Sequence, residues 1–419
     1  MDSIEQAKQD INKVISIIAN TTPEEEKKLR EYIYAIIALA IRQGKTLKFT
    51  FADNKELDDT VNQKLIELSD AIKDILDKQI LTAINLNNNT SDEDVNDTIE
   101  YVNRTFEGKN IVDRLDLYHS ELKYILESYI AAGIAEGLSA AQITQEYFTY
   151  KDNPLLAPLI RDAMQHRSDF ATPLILSLGF SLGSGHYKST IANYKRLSSY
   201  SIAEAYNYTA LSAMRKDPII IGYKTFRNSS FDCAICDELT KMIHPLDSLV
   251  VPAHPRCVCG IYPVTQEDKI ADANNEYLSH SRTNWEHTYF DQNSGGYLVT
   301  SKARIKSSVV NKNELDKFNK EQSMCRILAK SGYRIEHLAE IPGISSPDIT
   351  INGKKADLKY TKSANNIIKY AKHAIQNQGA DLVVFQFKEV NQKILGGIKR
   401  LRDIGIHGIY IQNDRIIKF

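Results

Sequence analysis

The chain has 419 residues, 42% hydrophobic and 25% charged, with 52 Lys+Arg against 53 Asp+Glu; that is room for two or three domains, each with its own core. The most apolar stretch, residues 32–41, is too short to span a bilayer and reads as one buried helix, and the start Met1-Asp2-Ser3-Ile4-Glu5 lacks a secretory pattern. Composition therefore argues against a membrane protein and a disulfide scaffold, and for a soluble protein made in a reducing cytoplasm.

Residues 1–110 form a helical N-terminal region. Thr22-Pro23-Glu24-Glu25-Glu26 reads as a helix start, with a capping hydroxyl, a first-turn proline and acids suited to the dipole. Residues 85–97 are Asn/Asp-rich and read as a loop. Leu115, Tyr118, Leu122, Ile125 and Tyr129 then keep the spacing of one buried helical stripe. A further helix is expected over residues 194–216, carrying Arg196, Tyr200, Glu204 and Asn207, and a strand over 219–225.

That strand delivers the chain to a cluster of thiols. Cys233-Ala-Ile-Cys236 is followed by His254-Pro-Arg-Cys257-Val-Cys259, so four of the five cysteines fall within 27 residues. Thiolates and imidazole suit tetrahedral zinc, and Cys233, Cys236, His254, Cys257 and Cys259 offer five donors where four suffice. Cys257 and Cys259 are expected to share one face of a strand. A closed set of strong ligands implies a structural site, since catalytic zinc needs an open position.

Together with Arg196 to Asn207 and Gly222-Tyr223-Lys224, the joint CxxC and HPxCxC pattern resembles the minor head, or head-morphogenesis, proteins related to protein F of phage Mu. The resemblance covers roughly residues 111–265. It implies a portal-associated protein, assembled with other head proteins and packaged inside the virion. Lys241-Met242 and Val258 depart from the family's usual Gly and Arg.

Residues 266–311 read as a connector, with a turn at Asn293-Ser294-Gly295-Gly296 and a basic, Ser/Asn-rich linker over 302–312. Trp285, His280 and His287 keep no period and fit a packed connector.

Residues 312–419 carry a net +8 against −9 for the remainder, which points to a polyanionic partner. The expected order is α-β-β-β-α-β-α-β, an α/β domain. Two strands meet at Asn352-Gly353, a strong hairpin signal. Pro347-Asp348 and Asp357-Leu358-Lys359 flank that turn, the arrangement of PD-(D/E)xK nucleases. Asp357 and Lys359 alternate onto one strand face, and Asp348 on the neighbouring strand can reach the same point. Two carboxylates can hold Mg2+ against a phosphate while the lysine aligns water. Glu321 on the preceding helix is expected to assist, and Gln376 or Gln378 to add a polar group.

The tail also resembles the tRNase tips of contact-dependent inhibition (CdiA-type) and related polymorphic toxins. The matching residues are Glu321 to Tyr333, Pro347 to Gly353, Ala356 to Lys359, and Gln378-Gly379-Ala380-Asp381. That likeness implies RNA or tRNA as substrate, with DNA as the alternative, and an immunity protein as a partner. Some toxins in this group use a metal-independent barnase/colicin/RelE-like nuclease, for which Lys359, His373 and His407 are the candidates. The whole reads as a multidomain chain: a mainly α body, a Cys/His zinc knuckle and a nuclease-like C-terminal domain. The rival is a structural capsid protein whose basic tail binds the genome or portal without catalysis.

Overall fold

Helical periodicity in the first half becomes a bundle, and strand alternation in the last third becomes a sheet. The computed structural model describes residues 3–43, 49–87, 90–105, 108–161, 189–228, 232–254, 256–340, 343–361 and 364–419. Pro255 and the expected helix start at Ser363 lie outside them. The chain divides into two compact units, Met1–Val264 and Thr265–Phe419.

In the first unit α1 (Ser3–Gln43), α2 (Lys55–Ile84), α3 (Asp92–Asn103), α4 (Ile111–Ala135), α5 (Ala140–Thr149) and α6 (Thr190–Lys216) enclose one apolar core. The stripe Leu115, Tyr118, Leu122, Ile125, Tyr129 is buried as expected. Two expectations fail. Thr22-Pro23 does not begin a helix: α1 runs through Pro23, because Ile11, Val14, Leu29 and Ile33 on both sides are buried in the same core and hold the helix across it. Residues 92–97 are not loop but the first turns of α3, started by a capping box in which Ser91 and Asp94 exchange hydrogen bonds.

Glu25 is fully buried in this bundle, hydrogen-bonded by Ser198. Burial pushes its carboxyl up to about 7, partly opposed by that hydroxyl and by Lys195. A raised folded pKa means the native state holds the proton that the unfolded state releases near 4.5. The stabilisation is therefore complete below that value and is lost as pH rises through about 7. Amide exchange of α1 and α6 is expected to show the bundle roughly 3 kcal/mol less stable at pH 8 than at pH 5. Glu25→Gln should flatten that dependence, and an unchanged slope in this variant would refute the assignment.

β1 (Ile220–Phe226), the short α7 (Ala234–Leu239) and β2 (Gly260–Thr265) complete the first unit, with β1 and β2 paired. Gly222 and Gly260 are required here: a Cβ on Gly222 would lie 2.7 Å from the His244 carbonyl oxygen, and one on Gly260 2.4 Å from the Phe226 ring.

The second unit is built on a mixed eight-stranded sheet of order β10-β9-β8-β7-β6-β5-β4-β3. Its strands are β3 (Trp285–Phe290), β4 (Tyr297–Ser301), β5 (Arg334–His337), β6 (Ile349–Ile351), β7 (Lys354–Thr361), β8 (Leu382–Phe387), β9 (Gly408–Gln412) and β10 (Arg415–Lys418). The helices are α8 (Gln266–Ser279), α9 (Lys302–Ser308), α10 (Lys312–Lys330), α11 (Ile367–Gln378) and α12 (Gln392–Asp403). The expected α-β-β-β-α-β-α-β order is present from α10 to β9, and β10 adds a ninth element that closes the sheet against β9.

Residues 266–311 are not a connector. β3 and β4 extend the sheet through parallel pairing of β4 with β5, and the expected linker folds as α9, whose Arg304 is 1% exposed. Gly296 shows how tightly this part is joined: a Cβ there would stand 1.8 Å from the Ala329 carbonyl oxygen at the end of α10. Trp285, His280 and His287 pack as expected, His280 edge-on to Trp285 and hydrogen-bonded to Glu336 at 3.0 Å.

Two helical layers cover the sheet. Met324, Cys325 and Leu328 of α10 pack on Ile335, Ile349, Ala356, Leu358 and Val384. On the other face Ile367, Ala371 and Ala374 of α11 and Ile394, Ile398 and Leu401 of α12 pack on Val383, Phe385 and Phe387. Both outer helices have the i, i+4, i+7 stripe that their sequences announce.

Candidate functional site

In the first unit the Cys/His donors converge beneath α6. Asn207 of α6 donates to the Cys259 carbonyl oxygen at 3.0 Å, and Leu211 and Met214 share an apolar cluster with Tyr223, Cys236, Cys257 and Cys259. Tyr223 accepts from the Val250 amide at 3.1 Å and donates to the Ser248 carbonyl at 2.7 Å, tying down the loop before His254. Asn207 and Tyr223 thus frame the thiols.

The donors form two triads, Cys233–Cys236–His254 and Cys236–Cys257–Cys259, each with its ligand atoms within 4.8 Å of one another. Cys236 belongs to both. His254 Nε2 lies 3.2 Å from Cys233 Sγ and 3.3 Å from Cys236 Sγ, and Cys236 and Cys257 sulfurs are 3.8 Å apart. An ion with metal–sulfur bonds of about 2.3 Å at tetrahedral angles spaces its sulfurs by about 3.8 Å, so the cluster could hold a metal ion. Cys257 and Cys259 reach it without the expected strand: β2 begins only at Gly260, and Arg256 at φ 66 turns the chain instead. The thiols differ in acidity, with Cys233 and Cys257 lowered and Cys236 and Cys259 raised. The Cys236 amide holds the Cys233 thiol below its ordinary value, and the adjacent Cys259 brings Cys257 down to about 5. Burial, reinforced by Cys257, pushes Cys236 up to about 12.

In the second unit the hairpin is a two-residue turn, with Asn352 and Gly353 at φ 49 and 79 and Ile351 opposite Lys354. β6 is only three residues long, so β7 runs beyond it and the Leu358 amide has no β6 partner. Asp348, just before β6, supplies one: its Oδ2 accepts from Leu358 N at 2.8 Å. This places the Asp348 carboxylate just beyond the end of β6, beside the overhanging part of β7, within the field of Asp357 and of Glu321. Burial and these two negative neighbours push it up to about 8.

Asp357 is fully buried, and its carboxylate is ion-paired with the Lys359 ammonium. Register partners in a sheet share a face. Asp357 and Lys359 stand opposite Val383 and Phe385, so both lie on the α11–α12 side.

Glu321 sits on the other side and is already engaged. Arg304 donates to its Oε2 at 2.8 Å and His337 at 3.1 Å. Burial opposes its ionisation, yet these two donors outweigh it and hold Glu321 below its ordinary value. The expected free third carboxylate is thus a satisfied ion pair, touching the site only through its field on Asp348. Gln378 binds the Ser346 carbonyl at 3.3 Å, next to Pro347-Asp348, whereas Gln376 is exposed.

The metal-independent set is not assembled. His373 and His407 are exposed. Through Phe385 and Tyr410, His407 lies two strands and three rows from Lys359, roughly 14 Å.

Sequence reasoning missed Arg304, His337 and Gln322. Gln322 donates to His337 Nδ1 at 2.8 Å and to Thr300 at 3.0 Å, which leaves the His337 Nε2 proton for Glu321. Arg304 lay hidden because a basic, Ser-rich segment reads as solvated.

Compared with known proteins, the chain matches no family model and no curated protein. Among solved structures, a CdiA-CT/CdiI toxin and immunity complex from Burkholderia pseudomallei is similar over 26% of this chain and 89% of that chain, with 20% identity and a TM-score of 0.23. Among the described residues no helix is long and apolar enough to cross a membrane.

Proposed function

We propose that the second unit is a metal-dependent endonuclease, carried by a minor head protein whose first unit is held by a structural zinc knuckle. The observation that supports the enzymatic half best is the pair of acids: Asp357, wholly out of water and paired with the Lys359 ammonium, lies beside a second buried carboxyl, Asp348. Two buried carboxylates sharing one ammonium are costly to keep ionised together, a cost that a bound divalent cation would offset. Asp348 and Asp357 would hold Mg2+, which when bound polarises the scissile phosphate. The Lys359 ammonium, 22% exposed and on the same face as Asp357, hydrogen-bonds the attacking water and offsets charge developing on the phosphate oxygens. Glu321, held anionic by Arg304 and His337, makes a second negative charge on Asp348 unfavourable without a cation.

The particle-borne half rests on the joint thiol and histidine pattern and on the frame that Asn207 and Tyr223 build around it. In this reading the chain is made in a bacterial host and packaged in a phage head beside the portal. Its C-terminal unit acts on RNA, with tRNA favoured by the toxin-like sequence, and an immunity protein protects the producing cell.

Incubating the full chain with tRNA and with plasmid tests the enzyme. Cleavage with Mg2+ that EDTA abolishes is expected. Cleavage that survives EDTA would replace this mechanism with a metal-free one, and retention on a gel without cleavage would leave the structural protein. For the knuckle, elemental analysis should find about one zinc per chain. Cys236→Ser, which removes the donor common to both triads, should release most of it. Full occupancy in that variant would show that the ion lies elsewhere.

A further inference from the structure

The α11–α12 layer carries six exposed cations: Lys369, Lys372, Lys393, Lys399, Arg400 and Arg402. Only one acidic residue, Asp403, lies on either helix, and none of the six cations takes part in an ion pair among the described residues. On the opposite layer Lys317 of α10 pairs with Glu340 and Glu321 with Arg304, while Lys312, Lys320, Arg326 and Lys330 of that helix are exposed as well. The six cations of α11 and α12 belong to the side of the sheet on which Asp357 and Lys359 lie.

Gly396 adds a second, independent observation. It stands mid-helix in α12, exposed, with nothing within 4 Å of where a Cβ would be. Its neighbour Gly397 has a packing reason, since a Cβ there would lie 3.0 Å from Ile367 Cδ1. Gly396 has none, and a glycine inside a helix costs about 1 kcal/mol relative to alanine. Lys393 precedes it by one turn and Lys399 and Arg400 follow by one turn, so the bare backbone forms a notch in the middle of the basic face. Such a notch allows close approach of another backbone.

We propose that the outer face of α12, continued by α11, is the docking track for the phosphate backbone of the nucleic acid that the second unit cleaves, with Gly396 as the point of closest approach. From Lys393 to Arg402 the face is about 14 Å long, the axial length of roughly four nucleotides of one duplex strand. This rests on the endonuclease reading for its placement beside Asp357 and Lys359, but not for the charge itself.

The test measures binding of labelled tRNA and of duplex DNA to the full chain, in an Asp357→Asn background without Mg2+, across a salt series. Combining Lys393→Gln, Lys399→Gln and Arg400→Gln should weaken binding at least tenfold near 0.1 M salt. It should also lower the slope of log affinity against log salt by about two to three. A matched triple on exposed cations of the first unit, Lys27→Gln, Lys55→Gln and Lys78→Gln, should change neither. Gly396→Leu should preserve helix content yet weaken binding; a purely structural glycine would leave binding intact. Equal losses in the two triples, no loss in the first, or no binding by the parent chain would overturn the proposal. Binding without cleavage by the wild type would instead retire the enzyme and leave the track. The ratio between the tRNA and DNA arms identifies the source of the backbone.

Discussion

Asp357→Asn is expected to abolish cleavage, by a thousandfold or more, and at the same time to stabilise the second unit in EDTA by about 1–3 kcal/mol. The two effects have one cause. The Asp357 carboxylate is 0% exposed and is met by the Lys359 ammonium. Its ion pair with Lys359 only partly offsets the desolvation. Asparagine keeps the shape and removes the charge, while Lys359, being 22% exposed, can turn to water. Trp285, the single tryptophan of the chain, lies on β3 of this unit and reports its unfolding. Mg2+ should raise the midpoint of the wild type by mass action and leave that of the variant unmoved. A variant less stable than the parent in EDTA, or one that still cleaves, would show that Asp357 is structural.

Arg304→Met should destabilise the same unit by about 3 kcal/mol, because it removes the buried guanidinium partner of Glu321 and leaves that carboxylate only His337 and, at 3.8 Å, Lys317. Arg304 is 1% exposed and touches Glu321 at 2.8 Å, with the ring of Phe318 5.5 Å away. Arg304→Met combined with Glu321→Leu removes both charges and should recover most of the loss. Denaturant unfolding followed at Trp285 distinguishes the outcomes. A loss under 1 kcal/mol for the single variant would mean that the pair is solvated and that α9 is a linker after all.

Much of the candidate site was legible because it is local. Asp357 and Lys359 are two residues apart on one strand, and Asn352-Gly353 turns the chain so that Asp348 returns beside them; period and turn chemistry decide both. The thiols announced themselves by ligand type and spacing. Glu321 was found but misassigned, since its partners Arg304 and His337 lie 17 and 16 residues away along the chain and no periodicity links them. Pro23 misled for a similar reason: its local preference for a helix start was outweighed by a core that closes only in three dimensions.

The amino-acid order alone determined most helices and strands of the C-terminal unit from α10 onward, where the hairpin turns, and which donors can gather at the knuckle. These follow from side-chain period, backbone dihedral preference and ligand chemistry acting over a few residues. Only the tertiary structure decided that residues 266–311 complete the sheet rather than lead to it, that Glu321 is paired across that sheet from Asp357, and that the cations of α11 and α12 lie on the Asp357 side. Each of these depends on which distant segments share a face, and pairing between strands far apart in sequence leaves no local mark.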